Sequence, residues 1–555
     1  MAHRITVHRL FYPNMALNNL TEDQYSAQRD AELSKYEEDW SVSRYPHYFA
    51  TSTSVKEFRD LYDTEDLAPG TTTDIKESLI CRITAKRGNG KKLCFYTVIG
   101  NGVKLQILAN IALYENRDHF RPINKVLHLG DLVGVNGFVS RSKRGELSIT
   151  PYRLTLLAPC MRYYPREEFG IADPVTRVQK RYLDLLVNPK SRERFITRAR
   201  VISSCRNFLE ARGFLDTTTA VLSGQAGGAT ARPFITHHNE LGEDLYLRIA
   251  PELFLKKAVV GGLDRVYEIG PQFRNEGMDP THNPEFWTLE FYQVGADYNS
   301  LMMMNEELLS HVIKTVGNGV VRPYKLVDGT DVEINFSTPF ARVEMIPTLE
   351  KTVGKFPTLE ATSELRDFLL DACKDQGIIC PEPHTCARLV DRLVGELIEP
   401  NCINPTFIIG HPKFMSPLAK PDRENPLLSE RFELFAAGRE IANAYTELND
   451  PRIQKANFSA QAKAKELGDV EAQDPDEDFV VALEYGLPPT GGFGMGIERL
   501  TMLLTEAYTI ADVIMFPTRK FNSKKAAVAD GDDATSDVKP VTKTGGSKEV
   551  VTTVS

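Results

Sequence analysis

The chain has 555 residues, of which 42% are hydrophobic and 25% charged, and a net charge of −9. That length suits two to four domains with substantial cores, and the composition is that of an ordinary globular protein. No apolar run is long enough for a bilayer, no charged-then-apolar secretion signal opens the chain, and eight cysteines lie scattered without paired spacing, so a membrane or disulfide-stapled protein is excluded and a reducing cytoplasm is expected. Arg4 and Arg9 leave a weak organelle signal open. A net-negative chain can bind nucleic acid only through local basic patches. Candidates are Lys86, Arg87, Lys91 and Lys92 at one turn and Arg141, Lys143 and Arg144 at another, although each alone reads more simply as a solvated hairpin tip.

Residues 1–74 read as an N-terminal extension with a helix over 21–40, capped by Thr21, and an irregular stretch over 41–74 broken by Pro46, Pro69 and Gly70. Residues 75–158 read as five strands, at 79–84, 93–99, 103–108, 132–139 and 147–156, with a helical pattern over 112–129 between the third and fourth. That order predicts an OB-fold barrel. A linker follows over 159–174. Residues 175–518 read as one α+β unit. Its first helix carries Phe195, Ala199, Ile202 and Leu209 on one face and stops at Gly213. Strands are expected at 246–249, 265–269, 287–294 and 479–485, and helices at 362–374 and 387–398. Residues 519–555 turn to Lys, Asp, Ser, Thr and Gly, cannot bury a core and are expected to be disordered.

Three stretches of the large unit carry chemistry: Phe273-Arg274-Asn275-Glu276, His282-Asn283-Pro284-Glu285-Phe286 and Gly491-Gly492-Phe493-Gly494-Met495-Gly496-Ile497-Glu498-Arg499. They supply two arginines, an aromatic ring and glycines that let backbone approach a ligand. Glu433 and Glu440 flank Phe435-Ala436-Ala437-Gly438, and an odd–even flip at that glycine break would bring both carboxylates to one site. This set suits the attack of an amino-acid carboxylate on the α-phosphate of ATP, a reaction that needs positioning and charge neutralisation and no covalent nucleophile. A short Gly-x-Gly-x-x-Arg is weak alone, while both arginine motifs in this order are much stronger.

These stretches resemble the second and third signature motifs of class II aminoacyl-tRNA synthetases. Arg248-Ile249-Ala250-Pro251-Glu252-Leu253, Asn404-Pro405-Thr406-Phe407, Met415-Ser416-Pro417-Leu418-Ala419-Lys420 and Asn443-Ala444-Tyr445-Thr446-Glu447-Leu448-Asn449 narrow the resemblance to the lysyl enzymes, over roughly residues 20–518. The resemblance implies a homodimer with an antiparallel-sheet catalytic core and an OB-fold that reads the anticodon, with ATP, Mg²⁺, L-lysine and lysine tRNA as ligands. Partners in any multi-synthetase assembly stay unknown. Carried over by position, Arg274 would bind the lysine carboxylate and the α-phosphate, with Asn443 also on the carboxylate. Gly228 and Glu252 would take the α-ammonium, and Glu447 and Tyr292 the ε-ammonium, with Glu290 and Tyr445 beside them. Glu276, His282, Phe286 and Arg499 would bind ATP, and Glu433 and Glu440 the metal. Arg82, Phe95 and Gln106 would contact the anticodon, although Phe95 and Gln106 could each be an ordinary barrel residue.

Elementary electrostatics favours lysine over aspartate or asparagine, because Glu447 is an anion where a substrate carboxylate would need a cation. A non-catalytic, synthetase-derived binding protein is the alternative of a different class, and it would require loss of Arg274, Glu440 or Arg499, all of which are present. The chain departs from the family's first motif at Ala220, where a proline is usual. Cys373, Cys380, His384, Cys386 and Cys402 form no tight Cys-x-x-Cys hook, so no zinc is expected.

Overall fold

The protein is described by a computed structural model covering residues 20–518, apart from 65–66, 89–91, 166–169, 230, 318, 327 and 467–474. Lys91 and the tail expected at 519–555 lie outside the described residues. The first helix spans Glu22–Trp40, and Thr21 and Gln24 close its start reciprocally, each side chain accepting from the other's backbone N–H. Its Leu33 and Tyr36 join the barrel core. Arg29 on the same helix is fully buried, donating to Val126 O at 2.7 Å and to Asp131 Oδ2 at 2.6 Å. Asp131 also accepts from the backbone of His128 and of Cys160, so one carboxylate ties helix, barrel and the segment after the barrel together. The stretch expected to be irregular contains a second helix, Val55–Tyr62. Ser54 and Glu57 form its capping box, and Val55 and Phe58 bury against the barrel, which outweighs the breakers on either side.

The barrel strands are β1 (Thr72–Arg87), β2 (Leu93–Gly100), β3 (Val103–Asn110), β4 (Leu132–Arg141) and β5 (Leu147–Ala158). They close in the order β1-β2-β3-β5-β4. The helix expected over 112–129 divides into a single tight turn, Ile111–Leu113, and a helix, Arg117–Val126, that Asn116 caps. It presents Phe120 and Ile123 to the core.

The remaining strands are β6 (Leu215–Asp216), β7 (Leu222–Ser223), β8 (Ile235–His238), β9 (Glu243–Leu247), β10 (Arg265–Phe273), β11 (Glu285–Val294), β12 (Val321–Lys325), β13 (Asp331–Asn335), β14 (Ala341–Glu344), β15 (Thr406–Ile409), β16 (Arg431–Ala436), β17 (Arg439–Thr446) and β18 (Thr490–Gly496). Eight of them form one mainly antiparallel sheet, ordered β14-β15-β16-β17-β18-β11-β10-β6. The fold is therefore α+β, a five-stranded OB-type barrel followed by an antiparallel sheet. One face of the large sheet packs on the helices Pro189–Glu210, Tyr298–Val316 and Ile497–Leu504 through Phe208, Leu308, Val312, Phe291, Phe493 and Leu500. Residues 479–485, expected to be a strand, form a helix, Glu477–Glu484. Asp476 caps it by accepting from Phe479 N at 2.8 Å, and Phe479, Val480, Leu483 and Leu487 recur at helical spacing and bury together. Among the described residues no helix is long and apolar enough to cross a membrane.

Because Arg29 has no water to fall back on, Asp131→Asn is expected to lower stability by about 3 kcal/mol, read as an earlier first transition in urea or thermal unfolding.

Candidate active site

Strand alternation puts a cleft on the face of the large sheet opposite the helices. On β11, Leu289 and Phe291 enter the core while Thr288, Glu290 and Tyr292 turn the other way, and on β18, Phe493 and Met495 enter the core while Gly492, Gly494 and Gly496 face the cleft. The cleft encloses about 400 Å³. Arg274 enters it from the end of β10, where its backbone N–H donates to Pro284 O at 2.9 Å and closes the loop between β10 and β11. The Arg274 guanidinium lies 5.1 Å from the Phe286 ring and makes no ion pair among the described residues. This is the strand, loop and strand arrangement expected of the stretch.

Glu433 and Glu440 both line the cleft. The odd–even flip that unites them lies at the glycine turn, where Ala436 pairs with Arg439 and Phe435 with Glu440, so Glu440 shares the face of Phe435 and Glu433. Register shifts between Leu434 and Phe435, and Ile441 and Ala442 both point into the core, so Glu440 and Asn443 share the cleft face. Arg431 donates to Glu433 Oε1 at 2.5 Å and to Asn443 Oδ1 at 3.0 Å, and His411 Nε2 lies 3.2 Å from Glu433 Oε2. Burial pushes the Glu433 carboxyl up, but Arg431 and His411 outweigh it and bring it down to about 2. Arg499, in the first turn of the helix Ile497–Leu504, donates to Glu440 Oε2 at 2.8 Å and lies 3.2 Å from His282 Nε2. Burial, with the charges of Glu433, Asp391 and Glu440, pushes the neighbouring Glu399 up to about 7.

At the other end stand Glu252, Glu290, Tyr292 and Tyr445, with Gly228 beside Glu252. Gly228 has φ +85°, and a Cβ there would meet Glu252 Cβ at 3.0 Å. Tyr445 donates to Glu252 Oε1 at 2.7 Å. Burial, reinforced by the charge on Glu252 and opposed by Arg274, raises Glu290 to about 8. Glu447 does not line the cleft itself. It is fully buried behind Tyr292 and Gly492 and ion-paired to Lys256. Glu276 and His282 are exposed at the mouth and Phe286 is half-buried.

The structure thus brings Gly228, Glu252, Arg274, Glu276, His282, Phe286, Glu290, Tyr292, Glu433, Glu440, Asn443, Tyr445 and Arg499 to one cleft, with Glu447 directly behind it. Arg82, Phe95 and Gln106 stand apart, half-exposed on the barrel strands β1, β2 and β3. Gln106 donates to Glu146 Oε2 at 2.7 Å and accepts from Ser148 Oγ at 3.0 Å, while Arg82 donates to Gly130 O at 2.7 Å. Three site residues escaped sequence reasoning. Arg431 was readable as a cation two positions before Glu433 on one strand face, and Lys256 as a cation four positions after Glu252 on a helix. His411 gave no local signal.

An antiparallel sheet holding one arginine at a strand end, a second at the start of a helix after a glycine strand, and carboxylates between them is the architecture of a class II synthetase. Residues 173–520 match the family described as tRNA synthetases class II (D, K and N), and the chain belongs to it. Within that family its place is among the lysine–tRNA ligases. It is 45% identical over 541 residues to the lysine–tRNA ligase cla4 of Cladosporium cladosporioides, covering 96% of this chain and 90% of that one. It is 45% identical over 511 residues to a probable cytoplasmic lysine–tRNA ligase of Encephalitozoon cuniculi, covering 90% and 98%, and 42% identical over 487 residues to a lysine–tRNA ligase of Lactococcus lactis, covering 87% and 96%.

A Cβ at Gly492 would overlap Glu447 Oε1 and stand 2.6 Å from Tyr292 Cε1. Gly492→Ala is therefore expected to cut amino-acid activation by about a hundredfold, as displaced positioning groups do, with the melting temperature changed far less. Full activity in Gly492→Ala would mean that the carboxylate has room to move.

Proposed function

We infer that this protein is a lysine–tRNA ligase, which activates L-lysine with ATP and transfers the lysyl group to lysine tRNA. The observation that carries the choice of amino acid is the buried carboxylate wall of Glu252, Glu290 and Glu447. A substrate ammonium is attracted there, whereas a substrate carboxylate at the same place would bury like charges together.

In this reading the lysine carboxylate lies against Arg274 and Asn443. Its oxygen attacks the α-phosphorus of ATP, the bond to the β-phosphate breaks, and pyrophosphate leaves with that electron pair. Arg274 touches both reacting anions, so it offsets their repulsion and the charge that builds on the α-phosphate. Gly228 leaves space for the α-ammonium beside Glu252, and Glu447 with Tyr292 receives the ε-ammonium, flanked by Glu290 and Tyr445. Phe286 stacks the adenine, and Glu276, His282 and Arg499 hold the rest of the nucleotide. Glu433 and Glu440 suit Mg²⁺, which takes one or two protein carboxylates plus phosphate oxygens, and Glu433 is kept ionised by its neighbours. When bound, the metal would neutralise phosphate charge. In the second step a hydroxyl at the 3′ end of tRNA attacks the lysyl carbonyl and AMP leaves.

Phe95 and Gln106, half-exposed on adjacent barrel strands and aided by Arg82, would read an unstacked anticodon base by stacking and amide hydrogen bonding. We also propose domain limits of 75–158 for the anticodon barrel and 175–518 for catalysis, a homodimer, and reaction in the cytoplasm. Exposed Leu215, Leu222, Ile235 and Leu241 support the dimer. Relatives described as cytoplasmic support the compartment.

Lysine-dependent exchange of pyrophosphate into ATP tests the activity; exchange with aspartate instead would overturn it. Glu447→Gln is expected to weaken lysine binding by about 2–3 kcal/mol, seen as a rise in KM for lysine with KM for ATP little changed. With Glu290 raised to about 8, its carboxyl is mostly protonated in the free enzyme at pH 7. An arriving ammonium favours the ionised form, so lysine binding should release protons at pH 7 and progressively fewer as pH rises above that value. Calorimetry in buffers of different ionisation enthalpy measures this, and Glu290→Gln should abolish the release.

A further inference from the structure

The two carboxylates assigned to the substrate's two ammonium groups share a resident cation. Lys256, on the helix Glu252–Val260, is fully buried, with Nζ 2.6 Å from Glu252 Oε1 and also ion-paired to Glu447 Oε2. The rings of Tyr445, Phe479 and Tyr292 surround Nζ at 5.5, 5.8 and 6.0 Å. Of Lys256, Glu252 and Glu447, only Glu252 lines the cleft, while Lys256 and Glu447 are buried behind it, so Lys256 acts on the cleft through the two carboxylates. Helical spacing of four brings its ammonium back over Glu252, while Glu447 directly follows β17 and bridges to Ala419.

We propose that Lys256 is a specificity-determining positioning residue, whose ammonium clamps Glu252 and Glu447 together so that both carboxylates face lysine as anions. The inference rests on the reading in which those two carboxylates hold lysine.

Burial alone would lower the Lys256 pKa, but Glu252 and Glu447 raise it, so it stays charged. Charge balance then explains its presence. Burial pushes the Glu447 carboxyl up, and the charge of the touching Lys256 is the largest influence opposing it, while Glu290 holds its proton. With lysine bound, the substrate's net positive charge is matched by ionised Glu290. Without Lys256, two adjacent buried carboxylates would have to share a proton. One would become a hydrogen-bond donor facing the substrate's ε-ammonium, and an uncharged side-chain end would be as welcome as a charged one. A buried ion pair is a weak source of stability compared with a well-packed apolar residue of equal volume. What the clamp supplies is the charge state and aim of the pocket wall.

The test is Lys256→Met, with Lys256→Gln as a second variant, in full-length protein whose folding is checked by binding of a non-hydrolysable ATP analogue. Pyrophosphate exchange should show KM for lysine raised about tenfold or more, with KM for ATP and kcat moved less than about threefold. Discrimination of lysine against norleucine, its uncharged counterpart, should fall by a similar factor. Lys256→Met combined with Glu447→Gln should lose no more discrimination than Glu447→Gln alone, because both act through one pair. Unchanged KM for lysine, a parallel rise for lysine and ATP, additive losses in the double variant, or failure of both single variants to fold would each overturn the inference. Unaltered lysine selectivity in Glu447→Gln would instead overturn the assignment of the pocket itself.

Discussion

Burying carboxylates in a protein interior costs several kcal/mol per charge unless a cation compensates, and the cleft of this protein is built around that constraint. At the amino-acid end, Glu252, Glu290 and Glu447 outnumber the cations fixed beside them. Folding tolerates the arrangement because Lys256 answers two of them and Glu290 keeps a proton. An incoming ammonium meets a wall already desolvated and aimed, so little reorganisation is required on binding.

The large sheet makes that wall rigid. Strand β18 alternates glycine with Phe493 and Met495, which removes side chains from the cleft floor while keeping the opposite face apolar. The missing side chain at Gly492 is the space in which the Glu447 carboxylate sits. On β17 the extra residue at Ile441–Ala442 turns Glu440 onto the face already occupied by Asn443 and Tyr445, which an unbroken alternation would forbid. The grouping of Glu440 with Asn443 and Tyr445 therefore depends on one irregularity in an otherwise regular ladder, whereas its grouping with Glu433 follows from the tight turn.

Much of this was legible in the chain itself. The barrel strands declared themselves by alternation and turns, Thr21 by its capping position, and the cleft residues by motif. One misreading arose because short apolar runs are ambiguous between periods of two and about three and a half. Residues 479–485 became a helix because Asp476 caps it and Phe458 offers a surface to its apolar stripe. The helix Val55–Tyr62 was hidden among breakers, although Ser54 and Glu57 were in place to start it. Lys256 was obscure for another reason. A lysine after an apolar run reads as solvated, and only the fold reveals that Glu447, nearly two hundred positions further along, completes its shell.

The two ends of the cleft handle charge in opposite ways, and this separates their ligands. At the nucleotide end each carboxylate is tied to an arginine, Glu433 to Arg431 and Glu440 to Arg499, and Glu433 stays ionised down to about pH 2. Glu399 near them is pushed up to about 7, first by burial and then by the charges of Glu433, Asp391 and Glu440. In the proposed reading, a metal held by Glu433 and Glu440 would offset the charge of a polyphosphate there, whereas at the other end the substrate brings its own positive charge. Arg274 stands between the two regions, with no carboxylate partner of its own among the described residues, at the place where the proposed reaction would bring two anions together.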